Sequence, residues 1–476
     1  MNEMSRDLIC VVLTAMVLSG CANYQPMPLT LQTIAGSLIG PDMKDICVRA
    51  KEIKRPILKP IEFNECDGLS ADEAAVLAVL ANPRLRAIRD QRAIASAQLL
   101  QAGLLPNPQL SYGMDFPTGG ETAGTVNAFG VGLDWDIGYL IAHQAKVDAA
   151  GARVSSVNLE IAWQEWQVAE AAKLHVYRLL IAEKLLALAK QVEEKRRQAR
   201  DIITNTVKLG EKTALDLSTA NNAWQQARLA IPAAQQQMQG ERLALNQILG
   251  LVAEKVILLQ QDIDMPVWQS ILSAAQAADG IENHRLDLLA LKAGYQSQEA
   301  RVRAAVKSQF PKINIGLSSE RDTDNIRTMG FGVTIELPFF SQNQGQIAIE
   351  RATRQQLFDE YVARLLDAQS EIAQILSALQ HTRDRIQTIE ESIPALNGLI
   401  HSYKSATEDG AVDILTYYEA LCNLYNGQIQ VLILKRELVD LGIALEIATG
   451  QYLPASNIQS DATSGSSNTA KKEILK

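Results

Sequence analysis

The sequence predicts a mixed α and β membrane protein in which short membrane-crossing strands run into very long helices. Three observations predict it. Four stretches alternate apolar residues with small or polar ones, the period of a strand with two unlike faces. Apolar residues recur at helical spacing from about Leu140 to Val207, with no Pro and with Gly151 as the one Gly. The same series of segments also occurs twice, about 200 residues apart.

The first element is a leader. Arg6 precedes an apolar run, Leu8 to Leu18, that is too short for a membrane helix and fits a signal-peptide core. Leu18-Ser19-Gly20-Cys21 resembles a bacterial lipobox, in which the Cys becomes the lipidated first residue of the mature chain. Ala22 follows, and by resemblance to bacterial lipoproteins the absence of Asp there fits sorting to the outer membrane. Residues 1–20 are therefore expected to be removed, with Cys21 carrying the lipid and residues 21–68 forming an anchor and periplasmic segment. Cys47 and Cys66 share that segment, where an exported protein allows a disulfide; no CxxC pair exists.

Two repeats follow, expected at 69–270 and 271–454. "ANPRLRAI" (81–88) returns as "ENHRLDLL" (282–289), "FGVGLDW" (129–135) as "FGVTIEL" (331–337), and "GEKTALDLSTA" (210–220) as "GAVDILTYYEA" (410–420). Gly250 matches Gly450. Each copy reads helix, strand, strand, long helix, Gly-containing tip, long helix. The first long run, roughly 65 residues, would extend about 100 Å as a helix. Its partner spans Ala214 to Leu249, and Pro232 and Pro394 are expected to bend or interrupt the helices that hold them. The Ser/Thr/Asn-rich tail, 455–476, reads as disordered.

The strands carry the membrane argument. Leu110, Tyr112, Met114 and Phe116 alternate with Ser111, Gly113 and Asp115; Phe129, Val131, Leu133, Trp135 and Ile137 alternate with Gly130, Gly132, Asp134 and Asp136. In the second copy Ile313, Ile315 and Leu317 form one strand. A polar loop, "SERDTDNIR", separates it from a strand through Met329, Phe331, Val333, Ile335 and Leu337. An apolar face with aromatic ends, opposite a Gly or polar face, is the pattern of outer-membrane barrel strands. Trp135 and Tyr139 would stand at the membrane interface. Four strands cannot close a barrel, and an open edge in lipid leaves backbone groups unsatisfied, so several chains must contribute to one barrel.

Composition excludes other classes. The chain has 476 residues, a formal net charge of −9 and 5% aromatics, which opposes a nucleic-acid partner and suits closely packed helices. "LGEKT" lacks the earlier Gly of a phosphate loop. His143, His175, His284, His381 and His401 are scattered, with no HExxH motif, and Asp134, Asp136 and Glu336 read as lumen-facing rather than as a catalytic pair. No catalytic residue, resident metal site or cofactor is expected.

With "ANPRLRAI", "QAGLLPNPQLS", "ELPFFSQNQGQIAIERA", the two Gly-x9-Ala motifs and the lipobox, the chain resembles the TolC-type outer-membrane efflux factors over about Leu69 to Pro454. "LLPNPQL" is similar to their heavy-metal, CzcC- and CusC-like branch. The resemblance implies a homotrimer: a β-barrel with four strands per protomer, continuous with a long periplasmic α-helical barrel. It also implies a periplasmic adaptor and an inner-membrane pump of the resistance-nodulation-division class as partners, and passive export of heavy-metal cations.

Family members dock the adaptor on their helical tips. Here those are Lys208, Leu209, Gly210, Glu211, Lys212 and Thr213, and Glu408, Asp409, Gly410, Ala411, Val412 and Asp413. Relatives close the periplasmic end with a Leu five residues past the tip Gly and an acid nine past it, which correspond to Leu415 and Glu419. Where some carry a second acid, this chain has Thr416. Leu415 as a core residue and Glu419 as a solvated one is the blander reading. The competing function is that of a periplasmic adaptor or structural coiled-coil lipoprotein, which the four lipid-compatible strands and the second hairpin oppose.

Overall fold

The computed structural model describes residues 24–38, 43–52, 61–63, 68–260, 274–409 and 411–452. The leader with Cys21, and also Cys66, Gly410 and the 455–476 tail, lie outside the described residues. The chain divides into two compact units, 1–43 and 44–476. In the first, an extended segment leads into α1 (Leu31–Leu38), where Thr30 and Thr33 exchange backbone-to-hydroxyl hydrogen bonds across the first turn.

The second unit begins with α2 (Met43–Lys51), α3 (Ala71–Ala81), α4 (Pro83–Gly103), β1 (Gln109–Asp115), β2 (Ala128–Asp136), α5 (Tyr139–Lys208) and α6 (Ala214–Ile248). The series then recurs as α7 (Ala274–Ala278), α8 (Ile281–His284), α9 (Leu286–Lys307), β3 (Ile313–Arg321), β4 (Arg327–Ile335), α10 (Gln344–Glu408) and α11 (Ile414–Thr449). The helix read from Leu140 to Val207 is α5, 70 residues long.

Local chemistry sets the helix starts. Ser70 and Glu73 form a capping box at α3: the Ser hydroxyl accepts from Glu73 N at 3.2 Å, and the Glu carboxylate accepts from Ser70 N at 2.9 Å. Asn82 caps α4, its amide oxygen accepting from Arg84 N and Leu85 N, with Pro83 at the first helical position.

The four strands form one antiparallel sheet in the order β1-β2-β3-β4. Each strand joins its helix through a short link, α4 to β1, β2 to α5, α9 to β3 and β4 to α10. These helices touch in the same order, α4 on α5, α5 on α9 and α9 on α10. The sheet and the upper helices are thus four parallel staves. Beyond them α6 packs on α5, and α11 packs on both α10 and α5. Their core holds fully buried Leu179, Leu245, Ile372 and Leu434, each contributing about 1.5–3 kcal/mol by leaving water.

The two halves solve the same joint with different residues. Gly250 and Gly450 end the second hairpin helices at φ of 68° and 71°. A Cβ on Gly250 would lie 2.9 Å from the Ala81 carbonyl oxygen, and one on Gly450 2.8 Å from Arg285 Cα. Opposite each glycine one side chain donates back: Asn82 Nδ2 to the Ile248 carbonyl at 2.9 Å, and Arg285 Nη1 to the Ala448 carbonyl at 3.1 Å. Arg285 is 3% exposed, and Asp287, at 2.9 Å, balances its charge. Arg285 is therefore the counterpart of Asn82, and Leu288 of the equally buried Leu85. The alignment of "ANPRLRAI" with "ENHRLDLL" is two residues out of structural register, because the turn geometry fixes the equivalence rather than residue identity.

Two other expectations change. "SERDTDNIR" is partly strand: Ser319, Glu320 and Arg321 pair with Val131, Gly130 and Phe129, leaving a turn at 322–326. The Asp322 carboxylate accepts from Asp324 N and Ile326 N, and Asn325 takes the left-handed conformation, so the ladder continues until a residue suited to reversal arrives. Pro232 and Pro394 do not interrupt their helices. The carbonyls they release, on Arg228 and Glu390, belong to exposed residues of the chain, where water can take the lost bond.

One polar cluster is buried where α3, α5 and α11 meet. Lys173 Nζ lies 3.2 Å from Asp72, 3.4 Å from Glu170 and 4.3 Å above the Tyr452 ring, which itself packs on Trp166. Glu170 is fully buried with Glu446 beside it. Burial pushes the Glu170 carboxyl up to about 8; Lys173 opposes that rise and Glu446 adds to it.

Candidate functional site

The register of the sheet separates its two faces. Leu110, Leu133, Leu317 and Phe331 form one row across all four strands, and Ile315 pairs with both Trp135 and Val333. All four residues of the first row are exposed, as is Tyr112, and Met329 is 90% exposed. An apolar surface this continuous needs a non-aqueous partner. It ends at a row of Met114, Phe129, Arg321 and Arg327, where the Arg321 guanidinium lies 4.8 Å from the Phe129 ring centre. At the other end the Trp135 indole donates to the Pro106 carbonyl at 2.9 Å, suiting an aromatic at a lipid–water boundary.

The opposite face is polar. Ser111, Gly132, Ser318 and Gly330 share one row, and Asp134, Gly316 and Gly332 the next. All of these but Gly330 line a concavity of about 730 Å³ that also takes Asp115 and Glu320. Of the three carboxylates expected toward a lumen, Asp134 lines this space. Asp136 accepts from Tyr139 N at 3.2 Å and so holds the start of α5. Glu336 pairs with Lys312 at 3.5 Å. Both outer edges, β1 and β4, lack a strand partner among the described residues. No described helix is long and apolar enough to cross a membrane.

At the far end of the helices the two tips are built alike. At the first, Glu211 N donates to the Thr206 carbonyl at 3.0 Å, with Gly210 at φ 80°. At the second, Ala411 N donates to the Ala406 carbonyl at 2.8 Å. Thr213 caps α6 with a reciprocal Asp216 box, while Asp413 caps α11 by accepting from Leu415 N at 3.2 Å. Lys208 ends α5 and Glu408 ends α10; Leu209 and Asp409 cap their C-termini, and Ala411 and Val412 complete the second turn. Lys212 reaches across and donates to the second Asp413 carboxylate oxygen, joining the two tips. That bond holds the Lys212 ammonium above the ordinary lysine range.

Leu415, Thr416 and Glu419 stand on the first two turns of α11. Leu415 and Thr416 are half-buried and Glu419 is exposed. Leu415 and Glu419, four residues apart, share a helix face. Between them Tyr418 is buried, edge-on to Tyr417 at 5.2 Å. No local pattern marks the Lys212–Asp413 pair, whose partners are remote in the chain. Among the described residues no group of three or more His, Cys, Asp or Glu side chains is placed to hold a metal ion. Cys47 is half-buried, and Cys66 lies outside the described residues.

A family model described as outer membrane efflux protein matches residues 75–251 and 278–451. Among characterised proteins, the cobalt-zinc-cadmium resistance protein CzcC of Cupriavidus metallidurans is 23% identical over 380 residues, covering 78% of this chain and 88% of its own. The cation efflux system protein CusC of Escherichia coli is 22% identical over 272 residues, covering 55% of this chain and 58% of its own. Among solved structures, one of CusC superposes with a TM-score of 0.67 at 19% identity, covering 87% of this chain and all of that one (100%). The outer membrane protein VceC of Vibrio cholerae does so at 0.66 and 17% identity, covering 81% of this chain and 97% of that one.

Proposed function

The chain belongs to the outer membrane efflux protein family, and from that premise we propose that it is the outer-membrane channel of a tripartite efflux system that exports heavy-metal cations. The observation that carries this reading is the sheet, with its exposed apolar face, its Gly, Ser and carboxylate face, and its two open edges. Open backbone groups are costly in hydrocarbon, so other copies must cover them. Three copies, β4 of each beside β1 of the next, close a barrel of twelve strands, within the range of natural outer-membrane barrels. Closure sets α10 of one copy beside α4 of the next. The exposed Phe358, Val362 and Leu366 of α10 and Ile94 and Leu100 of α4 give that contact its apolar surface.

The chain acts as a passive duct and performs no chemistry on its cargo. Cys21 carries the lipid that tethers the N-terminus to the outer membrane. The two tips, Lys208 to Thr213 and Glu408 to Asp413, receive a periplasmic adaptor, which links the duct to an inner-membrane pump of the resistance-nodulation-division class. Threefold rings of Leu415 and Glu419 close the periplasmic end, one excluding water and the other favouring cations. Thr416, in place of a second acid, leaves that end with a single carboxylate ring.

The choice of cargo rests on the likeness to the cobalt-zinc-cadmium resistance protein and the cation efflux protein. Deleting the gene in its own host tests it. Lost tolerance to cobalt, zinc, cadmium or copper salts, restored by a plasmid copy, is the expected result. Lost tolerance to organic drugs alone would overturn the metal assignment, and unchanged tolerance to both would overturn the efflux role.

A further inference from the structure

We propose that a cleft just beneath the sheet, lined by α4, α5, α9 and α10, is a binding site for a phosphate group. It encloses about 540 Å³ and is lined by the cationic side chains of Lys146, Arg153 and Arg301, with Gln98 and Ser308 as further hydrogen-bonding groups. Alanines from α5 and α9 make its floor, which leaves the room. All four staves of one chain contribute, so the cleft is complete within a protomer.

Its charge is unusual for this chain. The protein as a whole carries −9, yet three cations and a single carboxylate, Glu350, line this cleft. That carboxylate is engaged elsewhere: Gln346 donates to one oxygen at 2.7 Å and Gln298 to the other at 2.5 Å. Among the described residues, Lys146, Arg153 and Arg301 take part in no ion pair. Guanidinium groups recognise phosphate by two parallel N–H bonds, and an ammonium adds a point charge. An anion in the cleft would relieve the repulsion among the three.

The level of the cleft fits a phosphate source at the membrane. Lys146 and Arg153 are the eighth and fifteenth residues of α5, which begins directly after β2, so they lie about 10 and 20 Å past the end of the sheet. The Lys146 ammonium sits 4.3 Å over the ring of Tyr139, the first residue of α5, an arrangement suited to the headgroup zone. Basic pockets between membrane segments bind anionic phospholipid headgroups, and the Lys146 end of this cleft, beside Tyr139, is the part within reach of that layer. The same three cations would also take soluble phosphate. The site goes beyond the export function and does not depend on which cargo the duct carries.

The test uses the purified full-length protein in detergent, stripped of lipid. Binding of phosphatidylglycerol and of phosphatidylethanolamine is followed by native mass spectrometry, and binding of inorganic phosphate by calorimetry. The comparison is with the triple variant Lys146→Gln, Arg153→Gln, Arg301→Gln. Preference for phosphatidylglycerol, weakened about tenfold or more in the variant, identifies a lipid source. Inorganic phosphate binding with the same loss identifies a soluble one. Should the triple variant fail to assemble, Arg301→Gln, at an exposed position, serves for the loss and Glu350→Gln for the converse, since removing the lone carboxylate should tighten binding. Failure of the native protein to bind either probe overturns the proposal, as does equal binding by native protein and variants.

Discussion

Lys212 and Asp413 form an ion pair that ties the tip of one helical hairpin to the tip of the other within a single chain. Asp413 uses its other carboxylate oxygen to cap the helix that carries Leu415. One carboxylate therefore connects the first tip, the second tip and the start of α11.

The pair is partly exposed, so its worth to stability is about 0–1 kcal/mol. Under the proposed gating its effect on conductance exceeds its effect on melting, because it ties together two elements that would have to separate. Lys212→Ala is expected to leave the melting temperature nearly unchanged and to raise open-channel events in planar bilayers. The charge exchange Lys212→Asp with Asp413→Lys should return the closed behaviour in part, since the ion pair is restored but the cap at Leu415 is lost. Conductance unchanged by Lys212→Ala would remove the pair from the gate.

Leu415→Ala should loosen the resting constriction and increase single-channel conductance. Glu419→Gln should lower cation preference and weaken block by multivalent cations, with a smaller effect on conductance. Planar-bilayer recordings in asymmetric salt read both. If neither substitution changes conductance, selectivity or block, the constriction lies elsewhere along the duct.

The buried Glu170 makes stability depend on pH. Burial raises its carboxyl from 4.5 to about 8, so the folded state holds a proton that the unfolded chain releases. The associated stability is present in full below about pH 4.5 and is lost as the pH rises toward about 8, at most roughly 1.4 kcal/mol per unit. Lys173, Tyr177, Glu446 and Tyr452 are the titratable groups that interact with it. Glu170→Gln, which keeps the neutral shape, should flatten the fall in melting temperature between pH 5 and 8. An equally steep fall in the variant would assign the dependence to another group.

Gly450→Ala should destabilise by about 1–3 kcal/mol, because Ala must take a left-handed backbone while its methyl meets Arg285. Gly398→Ala, inside α10 with nothing within 4 Å of the added methyl, should be neutral or stabilising by up to about 1 kcal/mol. Denaturant titrations of the two variants check the contrast. Equal effects would mean that the joint at Arg285 does not constrain the backbone.

Periodicity made the long elements legible before any coordinates. The alternation of Leu110, Tyr112 and Met114 with Ser111 and Gly113 defines β1, and the unbroken helical spacing after Leu140 defines α5. What stayed hidden was non-local. The substitution of Arg285 for Asn82 depends on a carbonyl in α11, more than 160 residues away. Lys212 and Asp413 meet because two hairpins run side by side, and Lys146 and Arg301 share a cleft because two staves do. Ser319 to Arg321 looked like loop because polarity in a strand above the apolar band carries no periodic mark. The gate residues and tips came from the family resemblance, and one chain shows their placement on α11 and at the turns without the neighbours they would face.

The central claim is that three sheets close into one barrel. Native mass spectrometry of the mature, detergent-purified protein tests it most directly. A single species of three chains that also forms channels in planar bilayers is the expected result. A stable, bilayer-spanning monomer or dimer would contradict it, because the open edges of β1 and β4 would then face lipid without partners.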